Sequence, residues 1–176
     1  MRLRLVYIFF IIFLLTSCGN DEVVLHGPYP VEHVRDGDTV EVMMEELPID
    51  DDDISFDMQS GMYVIPIRMI GINCEESVCE DESRNTEFGK YASDNTKSIL
   101  KDEYVYLEYD EDMLDKYGRL LAYVYYERDD EIVMINAELL ETGMAEVMLI
   151  LPNDKYGKRF NELEEEAINK DLGMWR

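Results

Sequence analysis

A chain of 176 residues is long enough for one domain with a true core and short for two. Hydrophobic residues at 47% and twelve tyrosines exclude a solvated, unfolded polymer. With 16 basic against 40 acidic residues, a formal charge of −24, the broad cationic footprint of an ordinary nucleic-acid binder is excluded too. Phosphate would have to be met by a metal and by locally concentrated guanidinium groups, which can act within a Debye length of about 8 Å.

Arg2 and Arg4 precede an unbroken apolar run, Leu5 to Leu15, that leads into Thr16-Ser17-Cys18. A basic start, a short apolar stretch and small residues at the exit describe a secretory signal. The run falls short of the roughly 20 residues that a spanning helix needs. Its ending resembles a bacterial lipoprotein signal. That resemblance implies removal of residues 1–17 and a lipidated Cys18 holding the chain on the outside of the bacterial cell membrane. Plain secretion or an uncleaved anchor is the alternative. With Cys18 so used, Cys74 and Cys79 remain as an even pair outside the cytosol, close enough in sequence for a disulfide whose geometry stays open. No Cys/His cluster suggests zinc. His26 and His33 read as surface or strand residues, which leaves no basis for a histidine triad.

Residues 18–30, with Gly27, Pro28 and Pro30, read as a tether, and 31–176 as the domain. Val31 to Val34 and Thr39 to Met44 partly alternate and suggest a strand pair joined at Asp36-Gly37-Asp38. Glu45 to Gly61, with Asp50 to Asp53, reads as a solvated acidic hairpin outside the core. Met62 to Ile72 reads as one strand. Phe88, Tyr91, Ala92, Ile99 and Leu100 predict a helix over 88–101 with that face inward. Tyr104 to Tyr109 and Leu120 to Tyr126 predict strands whose tyrosines serve core and cross-strand packing. A short helix over 136–142 ends at Gly143, a natural left-handed cap. Residues 154–172 predict the longest helix, with Phe160, Leu163, Ala167 and Ile168 inward. The sum is an α+β fold, a small five-stranded Greek-key barrel capped by about three helices.

Three separated segments carry chemistry: Asp36-Gly37-Asp38-Thr39, Arg68 to Glu76 (RMIGINCEE) and Asp115-Lys116-Tyr117-Gly118-Arg119. They supply two arginines, carboxylates and tight turns, the parts that hold a divalent metal beside a phosphate. Arginine suits phosphate because its planar fork bonds bidentately and stays protonated. Taken singly each is ordinary: Asp-Gly-Asp is a common turn, Arg119 a surface arginine, and Glu76 one acid among many. Arg68 is harder to dismiss, since an unpartnered arginine in an apolar run is costly.

The ordered set DGDT, R-x-I-G-I-x-x-x-E, D-K-Y-G-R-x-L-A-Y and a closing helix near Gly-Met-Trp resembles the staphylococcal nuclease family over about Val31 to Arg176. The resemblance implies an OB-fold barrel that hydrolyses DNA and RNA phosphodiesters with one calcium ion. It also implies a role for each matching residue. Asp38 stands at a carboxylate ligand to calcium, and Arg68 and Arg119 at the two phosphate-binding arginines. Glu76 stands at the glutamate beside the attacking water, with Lys116 and Tyr117 at contacts to a flanking phosphate. Nucleic acid is then the expected substrate and a monomer the expected state.

The chain departs from the family's Asp-Thr-Pro-Glu after Ile72, reading Asn73-Cys74-Glu75-Glu76. Asn73 replaces a calcium-binding aspartate, so calcium affinity is expected to fall, and Cys74 would contribute its backbone carbonyl. Glu75 replaces a proline and is expected either to compensate for Asn73 or to repel phosphate. Val147 to Leu151 is aliphatic where the family often has base-stacking tyrosines. The leading expectation is a calcium-dependent phosphodiesterase. The alternative is a non-catalytic OB-type binding lipoprotein that has lost its metal site.

Overall fold

In the strand β2 (Thr39–Met44), Val40, Val42 and Met44 are sealed inside while Glu41 and Met43 between them are half-buried, the period-two signature of a strand with one face on a core. This computed structural model describes residues 23–75 and 86–176. Around β2 lie β1 (His26–Asp36), β3 (Asp57–Gln59), β4 (Met62–Met69) and β5 (Gly71–Asn73). Helix α1 (Glu87–Leu100) follows, then β6 (Tyr104–Glu108), β7 (Leu120–Arg128) and β8 (Glu131–Met134). The chain closes with α2 (Ile135–Glu141), β9 (Glu146–Met148), α3 (Gly157–Asn169) and a 3-10 turn at Gly173–Trp175.

Strands β4, β2, β1, β6 and β7 pair in that order, and β4 then pairs with β7 in parallel, closing a five-stranded barrel. Closure removes the exposed edges that an open sheet would present. The barrel interior and the helices above it share one core, in which Ile65, Ile67, Leu107, Leu120, Tyr123 and Phe160 are fully buried. Each such aliphatic or aromatic side chain contributes about 1.5–3 kcal/mol by leaving water. The expected α+β OB-type barrel with three helices is the observed architecture. Strand β3 extends β4, β8 extends β7, and β5 pairs with β9 as a separate ribbon.

Several expectations are corrected. Strand β1 begins at His26, because Tyr29 and Pro30 pair with Val105 and Tyr104 of β6, so the tether expected through Pro30 is shorter. The run 62–72 breaks at Ile70 into β4 and β5, since Gly71 takes φ +80° and its neighbour Phe160 fills the space a Cβ would need. Ile54 in the acidic segment is core, and the last residues of that segment form β3. Helix α1 buries Gly89, Ala92, Ser93, Thr96 and Leu100, while Tyr91 is 59% exposed. Small residues at helical spacing let α1 approach the β1–β2 turn closely enough for Thr96 to donate its hydroxyl to the Gly37 carbonyl at 2.9 Å. Helix α3 starts only at Gly157, is shorter than α1, and leaves Ile168 exposed.

Candidate active site

Strand register, more than sequence proximity, assembles the site. On β4, Arg68 faces Thr39 of β2 on one side and Leu121 of β7 on the other. Asp38 immediately precedes Thr39, and Arg119 lies just before Leu121 at the mouth of the same parallel pair. The three side chains are thereby delivered to one end of the barrel. The last residue of β5, Asn73, and Cys74 directly after it complete the set.

Asp38 is 6% exposed and Arg68 8%, and their side chains pair at 3.3 Å. A guanidinium so deeply placed would be costly without that partner. Arg68 also donates Nη1 to the Met69 carbonyl at 2.9 Å and Nη2 to Asn73 Oδ1 at 3.4 Å. Asp38 accepts the Thr39 hydroxyl on Oδ1 at 3.0 Å and the Cys74 amide on Oδ2 at 2.8 Å. Its own carbonyl accepts the Met69 amide at 2.9 Å. The carboxylate is thus fixed by both neighbouring elements.

Asp115 builds the second arginine position. Its Oδ1 accepts the amides of Tyr117 and Arg119 at 2.9 and 3.0 Å, an Asx-type turn, and Gly118 closes it at φ +78°. Its Oδ2 lies 2.7 Å from both Nε and Nη2 of Arg119, which fixes the plane of the guanidinium. Lys116 and Tyr117 are exposed at the rim, with Lys116 Nζ 4.9 Å from the Tyr117 ring centre and the Arg119 Cζ 5.6 Å from it.

A cleft of about 620 Å³ takes lining from Asp38, Arg68, Asn73, Cys74, Lys116, Tyr117 and Arg119 together. Both arginines are ion-paired, yet both border open space large enough for a phosphate and its sugar. Met148, Ile150 and Leu151 form an aliphatic wall on another side. Glu76, Cys18 and Cys79 lie outside the described residues. Cys74 is buried as a free thiol, and burial, reinforced by the Asp38 carboxylate, pushes its pKa up. Glu75 accepts the Thr86 hydroxyl at the start of α1.

The expected metal donors are the Asp38 carboxylate, the Asn73 amide oxygen and the Cys74 backbone carbonyl, and Asp36, Asp112 and Asp115 line the same cleft. All are hard oxygens. Among the described residues no group of three or more His, Cys, Asp or Glu side chains is arranged to hold a metal. The donor set is chemically compatible with a hard divalent cation. Sequence reasoning gave no role to Asp115, whose signal was the Asx-turn spacing Asp-x-x-Gly. It also passed over Glu146, which donates no local signal at all: it meets Asn73 only through the β5–β9 pairing.

Residues 66–176 match the family model described as Staphylococcal nuclease homologue. The match starts at Pro66, so β1, β2 and the Asp38 turn precede it. Over 109 residues the chain is 39% identical to the thermonuclease of Staphylococcus intermedius, covering 62% of this chain and 62% of that relative. It is 36% identical to the thermonuclease of Staphylococcus hyicus over 109 residues, with the same coverage of 62% on both sides. Over 90 residues it is 38% identical to the endonuclease YncB of Bacillus subtilis (strain 168), covering 50% of this chain and 41% of that relative. The chain spans less than two thirds of the length of these curated relatives.

Proposed function

The chain belongs to the staphylococcal nuclease family, and from that premise we propose that it hydrolyses phosphodiester bonds of DNA and RNA with calcium as the metal. The observation that carries this reading is the register that brings Arg68 and Arg119 to one cleft beside Asp38. Two guanidinium groups, each held by a carboxylate and lining one cleft, are suited to the equatorial oxygens of one phosphate, where charge grows during in-line attack. Asp115 holds the planar Arg119 guanidinium in one orientation, so little reorganisation is needed when that charge develops. Lys116 and Tyr117 hold a flanking phosphate at the rim. Glu76 orients the attacking water and accepts its proton. Asp38, Asn73 and the Cys74 carbonyl would hold the calcium ion, which when bound would supply Lewis-acid polarisation of the phosphoryl oxygen. The proposal extends to placement: residues 1–17 act as a signal, Cys18 carries the lipid, and a monomer works at the outer face of the membrane.

The test is cleavage of single-stranded DNA by the detergent-solubilised chain in millimolar calcium. Activity that disappears on chelation is expected, and Arg119→Ala should lower kcat/KM by about 10²–10³-fold. Arg68→Ala also strips Asp38 of its partner, so its loss of activity counts only alongside a melting curve that shows the variant folded. A folded wild-type chain with no cleavage would instead support the non-catalytic binding lipoprotein, which the amide at position 73 favours. Mass spectrometry of the mature N-terminus should show an acylated Cys18.

A further inference from the structure

Asn73 stands where a metal-binding carboxylate would be expected, and an amide is ambiguous there: its two ends have the same shape, and only the oxygen can ligate a cation. The surroundings remove the ambiguity. In the β5–β9 ribbon Asn73 lies directly opposite Glu146. Asn73 Nδ2 donates to Glu146 Oε1 at 3.0 Å, while Asn73 Oδ1 accepts from Arg68 Nη2 at 3.4 Å. A carboxylate only accepts and a guanidinium only donates, so a single orientation of the amide satisfies both neighbours. The oxygen end faces Arg68 and the cleft.

We infer that Glu146 is a positioning residue: it locks the Asn73 amide with its oxygen toward the cleft and places a negative charge behind it. The charge-assisted bond to Glu146 polarises the amide, which makes its oxygen a better donor than that of a free asparagine. The lock is itself held from outside. The amide of Val147, next along β9, donates to Glu164 Oε1 of α3 at 2.7 Å, which ties the register of the ribbon to the last helix. The carboxylate lost at position 73 is thus partly restored one strand away, by a residue distant in sequence. This inference rests on the calcium reading given above.

The test reads calcium affinity of the full chain by isothermal titration, together with the melting temperature without calcium. Glu146→Gln keeps the shape but removes both the charge and the obligation of the amide to present its nitrogen. It should weaken calcium binding by about tenfold or more, as loss of an outer partner of a ligand does, with little change in melting temperature. Asn73→Asp supplies the discriminating arm. With Glu146 present it sets two carboxylates face to face, so little affinity should be gained. In the Glu146→Gln background the same substitution should raise affinity clearly, a non-additive cycle that a merely structural pair would not give. In the wild-type chain, the Asn73 side-chain amide protons should exchange slowly with solvent by NMR, a measurement that needs no variant.

Calcium binding unchanged in Glu146→Gln, an Asn73→Asp effect equal in both backgrounds, or amide protons exchanging as in free asparagine would each overturn the inference. A chain that binds calcium in this pattern yet cleaves nothing would defeat the hydrolase reading and leave the role of Glu146 intact. A folded chain that binds no calcium would defeat both.

Discussion

Gly37 shows how tightly the wall of the cleft around Asp38 is built. A Cβ there would lie 2.6 Å from Cys74 Sγ and 2.8 Å from its Cβ, so only glycine lets the β1–β2 turn press against the segment that follows β5. That approach permits the Cys74 amide to reach Asp38. Gly37→Ala should cost about 1–3 kcal/mol of stability, as overpacking does, measured by urea denaturation, and should weaken calcium binding in parallel. Gly118 has a similar constraint, with φ +78° and the Asp53 carbonyl 2.2 Å from where a Cβ would sit. The two turns that carry Asp38 and Arg119 were legible as turns from their Asp-Gly and Asp-x-x-Gly spellings. What packs against them was not, because Cys74 and Asp53 are far from them along the chain.

Among the elements, α2 acts as a clasp. Asn136 is fully buried, accepts the Val124 amide of β7 at 2.9 Å and donates to the Ile70 carbonyl at 2.9 Å. Ile70 is the link between β4 and β5, so one side chain fixes the point at which the chain leaves the barrel to form the β5–β9 ribbon. Asn136→Ala leaves a donor's acceptor and an acceptor's donor unsatisfied in the core, and about 2–4 kcal/mol of stability should be lost by thermal or urea unfolding. Also lining the cleft, Asn153 exchanges two 2.8 Å bonds with the Asp112 backbone, next to the aliphatic residues Ile150 and Leu151. The helix faces were only partly legible. Hydrophobicity pointed to Ala92 and Leu100, which are buried, and to Tyr91 and Ile168, which are exposed, while Gly89, Ser93 and Thr96 join the docking face of α1 because they let backbones approach.

At the scale of the whole molecule two properties follow from charge and from tyrosine. A protein of charge −24 repels a polyanion, and the repulsion reaches about 30 Å at 0.01 M salt but only about 8 Å at 0.15 M. At fixed calcium, kcat/KM on DNA should therefore rise several-fold between those salt concentrations, opposite in sign to a cationic DNA binder. The second property is alkaline lability. Burial, aided by bonds to Asp110 and Glu108, raises the phenols of Tyr123 and Tyr125, and burial with the Glu138 bond pushes Tyr126 up to about 12. A raised phenol favours the protonated folded state, so its contribution is complete below pH 10 and is lost as pH climbs from 10 toward 12. Melting temperatures should fall across that window, and Tyr126→Phe should soften the fall.

The amino-acid order alone determined the strands that alternate, the turns with their aspartates and glycines, and the motif spacing by which Arg68 and Arg119 were singled out. These depend on neighbours within a few residues, and local sterics and periodicity read directly from sequence. Tertiary structure decided which carboxylate holds each arginine, that Glu75 turns to α1 while Glu146 takes up Asn73, and that β1 begins at His26. Such partnerships arise only when a closed barrel fixes its register, since pairing brings together residues whose separation along the chain leaves no local trace.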